Sequence, residues 1–213
     1  MNATKVAPAT NDVGGARIAL PAPEIGIGMP VEQALHIRRS IRDFSDKPLS
    51  LGQVSQLVWA AQGATSPEGF RTVPSAGALY PLDVYLAAGE IGDLPAGVYL
   101  YNPADQILVE VALGDRRRQL SDAALAQGWI GTAAAVIILT AAYRRTMGKY
   151  GERGRRYVHL EAGHAAQNVY LQATSLGLGT TTVGAFHDDK VKAVLELPLE
   201  AQPLCLLPIG FPG

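Results

Sequence analysis

Three guanidiniums and a hydroxyl fall within five residues at Arg38-Arg39-Ser40-Ile41-Arg42. A planar guanidinium binds phosphate oxygens in pairs, so this group suits a phosphate and the ligand oxygens beside it. The same residues would also serve as the solvated basic end of a helix, where arginine complements the dipole. Lys149-Tyr150 is the adjacent pair that most resembles an acid/base unit, because a desolvated lysine can give up its proton near neutrality and act as a base. On a solvated loop the same pair would do no more than pack. Pro74-Ser75-Ala76-Gly77-Ala78-Leu79-Tyr80-Pro81 is a loop of small side chains feeding a strand. Such a loop lets backbone amides come close to a flat ligand, or it is an ordinary turn. Gly177 to Phe186 reads as a helix stop, a strand and a second glycine turn, with the spacing of neither the dinucleotide fingerprint nor a P-loop. His159 and His164 are five residues apart rather than the four of a two-ligand helical face. With no acidic or cysteine cluster to complete a set, no metal site is expected. A Gly-x-Ser-x-Gly elbow is missing, which argues against a hydrolase triad.

The elements that must position these residues follow from periodicity. Val31 to Arg39 and Gln53 to Gln62 read as helices, the second opened by Ser50. Strands are predicted at Asp83 to Ala88, Gly97 to Tyr101 and Ile107 to Leu113. Asn102-Pro103-Ala104-Asp105 joins the last two as a hairpin. Arg116 to Ala126 reads as a helix. Ala134 to Ala141 is an apolar run with β-branched residues, the pattern of a strand buried on both faces. A basic loop then leads into a long helix, Arg153 to Leu176, stopped by Gly177 and Gly179. Its small residues, Ala162, Gly163, Ala165, Ala166 and Ala173, permit close packing in the core or across a two-fold axis. Gln167-Asn168 in mid-helix needs partners if buried and none if it faces solvent. Thr180 to Val183 and Leu204 to Ile209 are further strands, with a helix at Asp188 to Leu195 between them. Strands and helices alternate, but a hairpin interrupts them. An α+β fold, a mixed α/β sandwich, is therefore expected over a single domain, residues 30–213. Residues 1–29, rich in Ala, Pro and Gly, read as a flexible or strap-like arm.

Composition narrows the function. The 213 residues suffice for one sizeable core, and the net charge of −1 argues against a nucleic-acid or membrane-surface partner. Short arginine clusters in a near-neutral chain suit an anionic small ligand. The single cysteine, Cys205, lies in the run Leu204-Cys205-Leu206-Leu207 and reads as a buried, inert thiol. No apolar run approaches the ~18 residues of a membrane span, and the N-terminus lacks the plan of a signal peptide. A cytoplasmic location is expected.

Taken in order, five segments resemble the nitroreductase superfamily. They are Arg38 to Arg42, the Pro74-Ser75 block, Lys149-Tyr150-Gly151 through Asn168, Gly177-Leu178-Gly179-Thr180, and Pro208-Ile209-Gly210-Phe211-Pro212. The Ser-Ala-Gly-Ala-Leu-Tyr-Pro version of the second block and the Glu161-Ala162-Gly163-His164 helix are similar to its SagB-type dehydrogenase branch. Ordinary nitroreductases tend to carry Asn and Gln where this chain has Ala78 and Tyr80. The resemblance implies an intertwined homodimer with a mainly antiparallel central sheet flanked by helices and two FMN sites at the subunit interface. It implies that Arg38, Arg39, Ser40 and Arg42 hold the flavin phosphate and ribityl end. Pro74, Ser75, Ala76, Gly77 and Leu79 would lie along the isoalloxazine and reach the partner's flavin. Val183, Gly184 and Ala185 would line the ring edge. In azole-forming members of the branch a Lys-Tyr pair is implicated in proton removal, and Lys149-Tyr150 looks like that pair.

The chain departs from its relatives at Phe211-Pro212-Gly213, where many carry a basic residue, and it shows no leader-recognition domain. The expected activity is two-electron hydride transfer through FMN, on a small-molecule or peptide substrate. An NAD(P)H-dependent nitro or quinone reductase and a non-redox flavin-binding protein are the alternatives.

Overall fold

A computed structural model describes residues 15–26 and 28–213. The N-terminal arm expected over residues 1–29 therefore lies outside the described residues as far as residue 14, and again at residue 27. The described strands are β1 (Arg17–Ala19), β2 (Leu82–Ala88), β3 (Gly97–Asn102), β4 (Ile107–Leu113), β5 (Ala135–Ala141), β6 (Gly179–Thr180) and β7 (Gln202–Gly210). They form one sheet in the order β1-β4-β3-β2-β5-β7-β6, and every pairing is antiparallel. The helices are α1 (Val31–Ile37), α2 (Leu51–Gln62), α3 (Arg117–Ala123), α4 (Trp129–Thr132), α5 (Arg144–Tyr150), α6 (Arg153–Ser175) and α7 (Asp188–Leu195).

The two faces of the sheet bury separate cores. On one face α2 and α6 cover Leu82, Val84, Ile137, Leu139 and Leu207. On the other, α3, α4 and α7 cover Tyr85, Val136, Ile138 and Leu206. Strand β5 sits between them with every residue buried, which is why its sequence is a continuous apolar run rather than an alternation. Helix α2 starts where its sequence says it should. The Ser50 hydroxyl accepts the Gln53 amide at 3.1 Å, and the Gln53 side chain accepts the Ser50 amide at 2.9 Å, a reciprocal capping box. Helix α6 ends at Gly177 (φ +70°), where the Leu178 amide returns to the Ala173 carbonyl at 2.8 Å. Between β3 and β4 the Asn102 side chain accepts the Ala104 amide and donates to Asp105, closing the expected hairpin.

Buried Arg117 clamps the first turn of α3 to the sheet. It donates to Asp115 at 2.6 Å and to the Ala133 carbonyl at 2.7 Å, and it meets Glu90 at 3.3 Å. A side chain at Gly89 would run into this guanidinium, its Cβ only 1.9 Å away. Cys205 is buried in β7, and burial pushes its thiol up to about 12.

Several elements differ from expectation, each for a visible reason. Helix α3 stops at Ala123, because Leu125 and Ala126 turn into left-handed conformations and Ser121 ties the turn by donating to the Gln127 carbonyl. The strand predicted at Thr180 to Val183 shrinks to Gly179–Thr180 plus an isolated bridge from Val183 to Leu206. Its backbone groups go elsewhere: the Thr180 carbonyl accepts the Ile41 amide, and the Thr182 amide donates to Tyr170. Lys149-Tyr150 closes helix α5 rather than lying on a loop, and Gly151 (φ +56°) makes the break before α6. Arg17–Ala19, expected to be part of an arm, pairs with Ile107–Val109 as an edge strand.

Replacing Ser50 by Ala should remove the capping box at a cost of about 1 kcal/mol. Urea unfolding would show a lower midpoint at an unchanged slope.

Candidate active site

The residues singled out for chemistry assemble into two groups on different turns of α6. The first surrounds Tyr170. After α1 the chain runs out as Arg38 to Arg42, and Ser40 bridges in parallel to Thr180. The Tyr170 hydroxyl lies 3.3 Å from the Ser40 hydroxyl, donates to Thr181 at 3.4 Å and accepts the Thr182 amide at 2.8 Å. Burial alone would push this phenol up. Its hydrogen bonds with Ser40, Thr181 and Thr182 outweigh that and hold it below the ordinary tyrosine value. Arg38 stacks over the Tyr170 ring at 5.1 Å and Arg42 over Trp129 at 5.7 Å. Arg39 turns back instead, donating to the carbonyls of His36 and Arg38. Glycine is required at 179, since a Cβ there would lie 2.6 Å from the Ile41 side chain. Val183 is buried, whereas Gly184 and Ala185 are exposed beside it, and the Ala185 carbonyl is held by Gln127 at 3.1 Å.

The second group surrounds the loop from Pro74 to Tyr80. Gly77 (φ +65°), Ala78 (φ +53°) and Tyr80 (φ +45°) all take left-handed conformations, costly for the two non-glycines unless neighbours enforce them. The enforcing contacts are specific. The Ser75 hydroxyl accepts the Tyr80 amide at 2.9 Å. From α5, Arg145 donates to the Tyr80 carbonyl at 3.3 Å while its fork grips Asp83 at 2.8 and 3.0 Å. Arg71 stacks over the Tyr80 ring at 4.6 Å. The loop rests on Lys149 and Tyr150: a Cβ on Gly77 would come within 2.8 Å of the Tyr150 hydroxyl and 3.0 Å of Lys149 Nζ. Tyr150 is fixed from behind by an edge-on contact with Tyr157 at 5.1 Å, and Lys149 Nζ lies 5.4 Å from the Tyr150 ring centre. Pro74 and Gly77 are exposed; Ser75, Ala76 and Leu79 are half-buried.

Beneath this loop lies Glu161 of α6, only 2% exposed. Its carboxylate accepts the Gln62 amide at 3.2 Å, and Arg71 donates to the other end of Gln62 at 3.0 Å. Burial pushes the Glu161 carboxyl up to about 7, against the opposing pull of hydrogen bonds from Ser75 and Gln62 and the charge of Arg71. Burial also holds the Arg71 guanidinium below its ordinary value, despite nearby Asp83 and Glu161.

The two groups are thus anchored at Tyr170 and Glu161, about 14 Å apart along the α6 axis. Tyr170, Glu161, Gln62, Arg71 and Arg145 had no assigned role in the sequence reading. Glu161 did carry a signal: it has the helical spacing of Val158, Ala162 and Ala165, so it belongs to the buried face. Tyr170 carried none. Of the mid-helix amides, Gln167 is exposed, while Asn168 donates to the carbonyls of Ala60 at 3.2 Å and Thr72 at 3.3 Å. Among the described residues no group of three or more His, Cys, Asp or Glu could hold a metal, and no helix is long and apolar enough to cross a membrane.

Comparison with known proteins gives a consistent result. The Nitroreductase family model matches residues 35–211. The chain is 46% identical over 180 residues to MJ1384 of Methanocaldococcus jannaschii, named for nitroreductase activity, with 84% of this chain and 90% of the relative covered. It is 29% identical over 164 residues to the microcin B17-processing protein McbC of Escherichia coli, covering 73% of this chain and 60% of McbC. It is 25% identical over 197 residues to a Bacillus subtilis FMN reductase of the NAD(P)H type, covering 86% and 66%. A solved nitroreductase-like protein of Ralstonia eutropha superposes with a TM-score of 0.81 at 30% identity, over 92% of this chain and 90% of that one.

Replacing Tyr170 by Phe should cost on the order of 1 kcal/mol through the lost hydrogen bonds. Amide exchange at Thr182 should speed up selectively; an unchanged rate there would show that Tyr170 does not hold the segment.

Proposed function

The chain belongs to the nitroreductase family, and from that premise we propose that it is an FMN-dependent dehydrogenase resembling the SagB type. One observation carries the proposal. A loop of small, partly left-handed residues is pressed against a Lys-Tyr pair, so a flat ligand along the loop would meet a proton-handling group at its edge.

The residues fit such a ligand. Arg38 and Arg42 are already stacked on aromatic rings, a contact that does not use their in-plane N–H groups and so keeps those groups for a phosphate. The Thr180 hydroxyl beside Ser40 is buried without a hydrogen-bond partner among the described residues. Nothing stands within 4 Å of where a Cβ at Gly184 would lie, so the backbone from Val183 to Ala185 is open to a ring edge. Arg38, Ser40 and Arg42 would hold the phosphate end, with Arg39 shaping the turn. Val183, Gly184 and Ala185 would border the ring, and Pro74, Ser75, Ala76, Gly77 and Leu79 would cover it. The flavin, when bound, supplies hydride acceptance and release. The chain's own task is then to exclude water and to take the proton that leaves as the substrate's C–H is oxidised. Lys149, exposed at the end of α5 with its Nζ beside the Tyr150 ring, would take it once the ligand and covering loop shield it from water.

The nitroreductase likeness supports a homodimer in which the phosphate end is held by one protomer and the covering loop comes from the other. Val31 and Leu35 on α1 are each 54% exposed, as is Leu160 on α6, an apolar face suited to a second copy. The McbC likeness supports a peptide as one class of substrate. The likeness to an FMN reductase of the NAD(P)H type supports a second reading, in which NAD(P)H delivers the electrons to a nitro or quinone compound. The lone buried cysteine suits a cytoplasmic setting.

The absorption spectrum of the purified protein separates these readings. A yellow protein that stays yellow under anaerobic NADPH or NADH supports the dehydrogenase, rapid bleaching supports the reductase, and a colourless protein that takes up no FMN ends both. Arg38→Ala with Arg42→Ala should lose FMN on gel filtration; undiminished retention would remove the phosphate assignment. Lys149→Ala should keep FMN and lose at least on the order of a hundredfold in substrate oxidation. Loss of FMN instead would give Lys149 a binding role.

A further inference from the structure

The stretch proposed to border the ring hangs between two fixed points. At one end Val183 exchanges both backbone hydrogen bonds with Leu206 of β7, at 2.8 and 3.0 Å. At the other the His187 amide donates to the Ala123 carbonyl at 2.9 Å, just before α7 opens at Asp188. Between them the backbone amides of Gly184, Ala185 and Phe186 have no acceptor among the described residues. Gly184 and Ala185 are exposed and Phe186 is half-buried, so three consecutive donors stand unclaimed along an open span of chain. One side chain steadies the middle of that span. Gln127 uses both hydrogens of its amide, one on the Ala124 carbonyl at 2.8 Å and one on the Ala185 carbonyl at 3.1 Å. A trans peptide points its N–H opposite its C=O, so fixing the Ala185 carbonyl on Gln127 aims the Phe186 amide away from it. The turn that carries Gln127 is strained. Leu125 (φ +58°) and Ala126 (φ +57°) are left-handed in succession, and both side chains are exposed, so their own packing does not account for the strain. What the turn does achieve is reach: it sets Gln127 on Ala185 and Trp129 against Arg42, touching the proposed site at its ring edge and at its phosphate end.

We propose that Gln127 is a positioning residue: by fixing the Ala185–Phe186 peptide it presents the free amides of residues 184–186 to the edge of the bound flavin and so raises the flavin's reduction potential. The inference rests on the flavin reading above and names a residue that tunes it. A donor binds a more negative acceptor more strongly, and the ring gains electron density on reduction, so amides held at its edge favour the reduced form over the oxidised one. With the tie from Gln127 removed, Val183 and His187 still hold the ends of the segment while the peptide between them is free to turn. The loss is therefore selective. The hold on reduced FMN weakens more than the hold on oxidised FMN, and the midpoint potential falls.

Gln127→Met keeps the length of the side chain and removes its donors. Wild type and variant, each loaded with FMN, are compared by the dissociation constant for oxidised FMN and by the midpoint potential against a reference dye. The variant should keep its hold on oxidised FMN and lose on the order of tenfold on reduced FMN, a potential about 30 mV lower for a two-electron couple. Gln127→Asn, a methylene too short to reach both carbonyls, supplies the same comparison if the methionine variant does not fold. An unchanged or raised potential overturns the proposal. So does an equal loss of oxidised and reduced FMN, which makes Gln127 a structural tie and nothing more. Wild type that takes up no FMN overturns the flavin reading and this inference with it, whereas wild type that binds FMN beside a variant of unchanged potential overturns this inference alone.

Discussion

Everything in this molecule that bears on function depends on how closely α6 lies against its neighbours. The face of α6 that meets the sheet and α2 is built from Ala162, Ala165, Ala166, Val169 and Ala173, all buried. Small side chains set a short interaxial distance, and a close-packed interior does not yield to larger ones without displacing whole elements. Into this apolar face the sequence inserts polar residues at chosen heights. Glu161 accepts the Gln62 amide, Asn168 pins the carbonyls of Ala60 and Thr72, and Tyr170 gathers Ser40, Thr181 and Thr182. The helix acts as a ruler: the chemistry at one height cannot slide relative to that at another.

The loop at the upper height shows how strain is tolerated. Left-handed Ala78 and Tyr80 would relax in an unsupported turn, yet Arg145, Asp83, Arg71 and Ser75 fix the backbone on both sides. Arg71 is half-buried and Glu161 fully so, and Gln62 stands between them rather than letting them pair. A direct buried ion pair would trade desolvation for attraction and lock in place. An amide bridge leaves the acid able to take up or release its proton.

Periodicity made much of the fold legible and chemistry made part of the candidate site stand out. The buried strand β5, the hairpin at Asn102 to Asp105, the Ser50 cap and the Gly177 stop each follow from a local rule that the structure obeys. The failures are tertiary. The Thr180 to Val183 strand was cut short because Ile41 and Tyr170, remote in sequence, take its backbone groups. α3 ended early because Leu125 and Ala126 turn back under Ser121. Arg17–Ala19 could not be read as a strand without knowing that β4 leaves an open edge. In the same way, Arg38 to Arg42 and Lys149-Tyr150 stand out by composition, whereas Tyr170, Gln62 and Arg71 gain meaning only from what folds against them.

The position of β7 has a consequence for how the chain is made. It is the last of the described strands in sequence order, yet it is not at an edge: it lies between β5 and β6, pairing with both. Until residues 202–210 have left the ribosome, β5, apolar but for Thr140, carries an open edge with no neighbour on that side. The chain emerging in synthesis is therefore exposed to wrong strand pairing along that edge until β7 follows, and sheet closure waits for residues 202–210. Crowded, rapid expression should fill inclusion bodies, and slower synthesis at lower temperature should favour the native sheet.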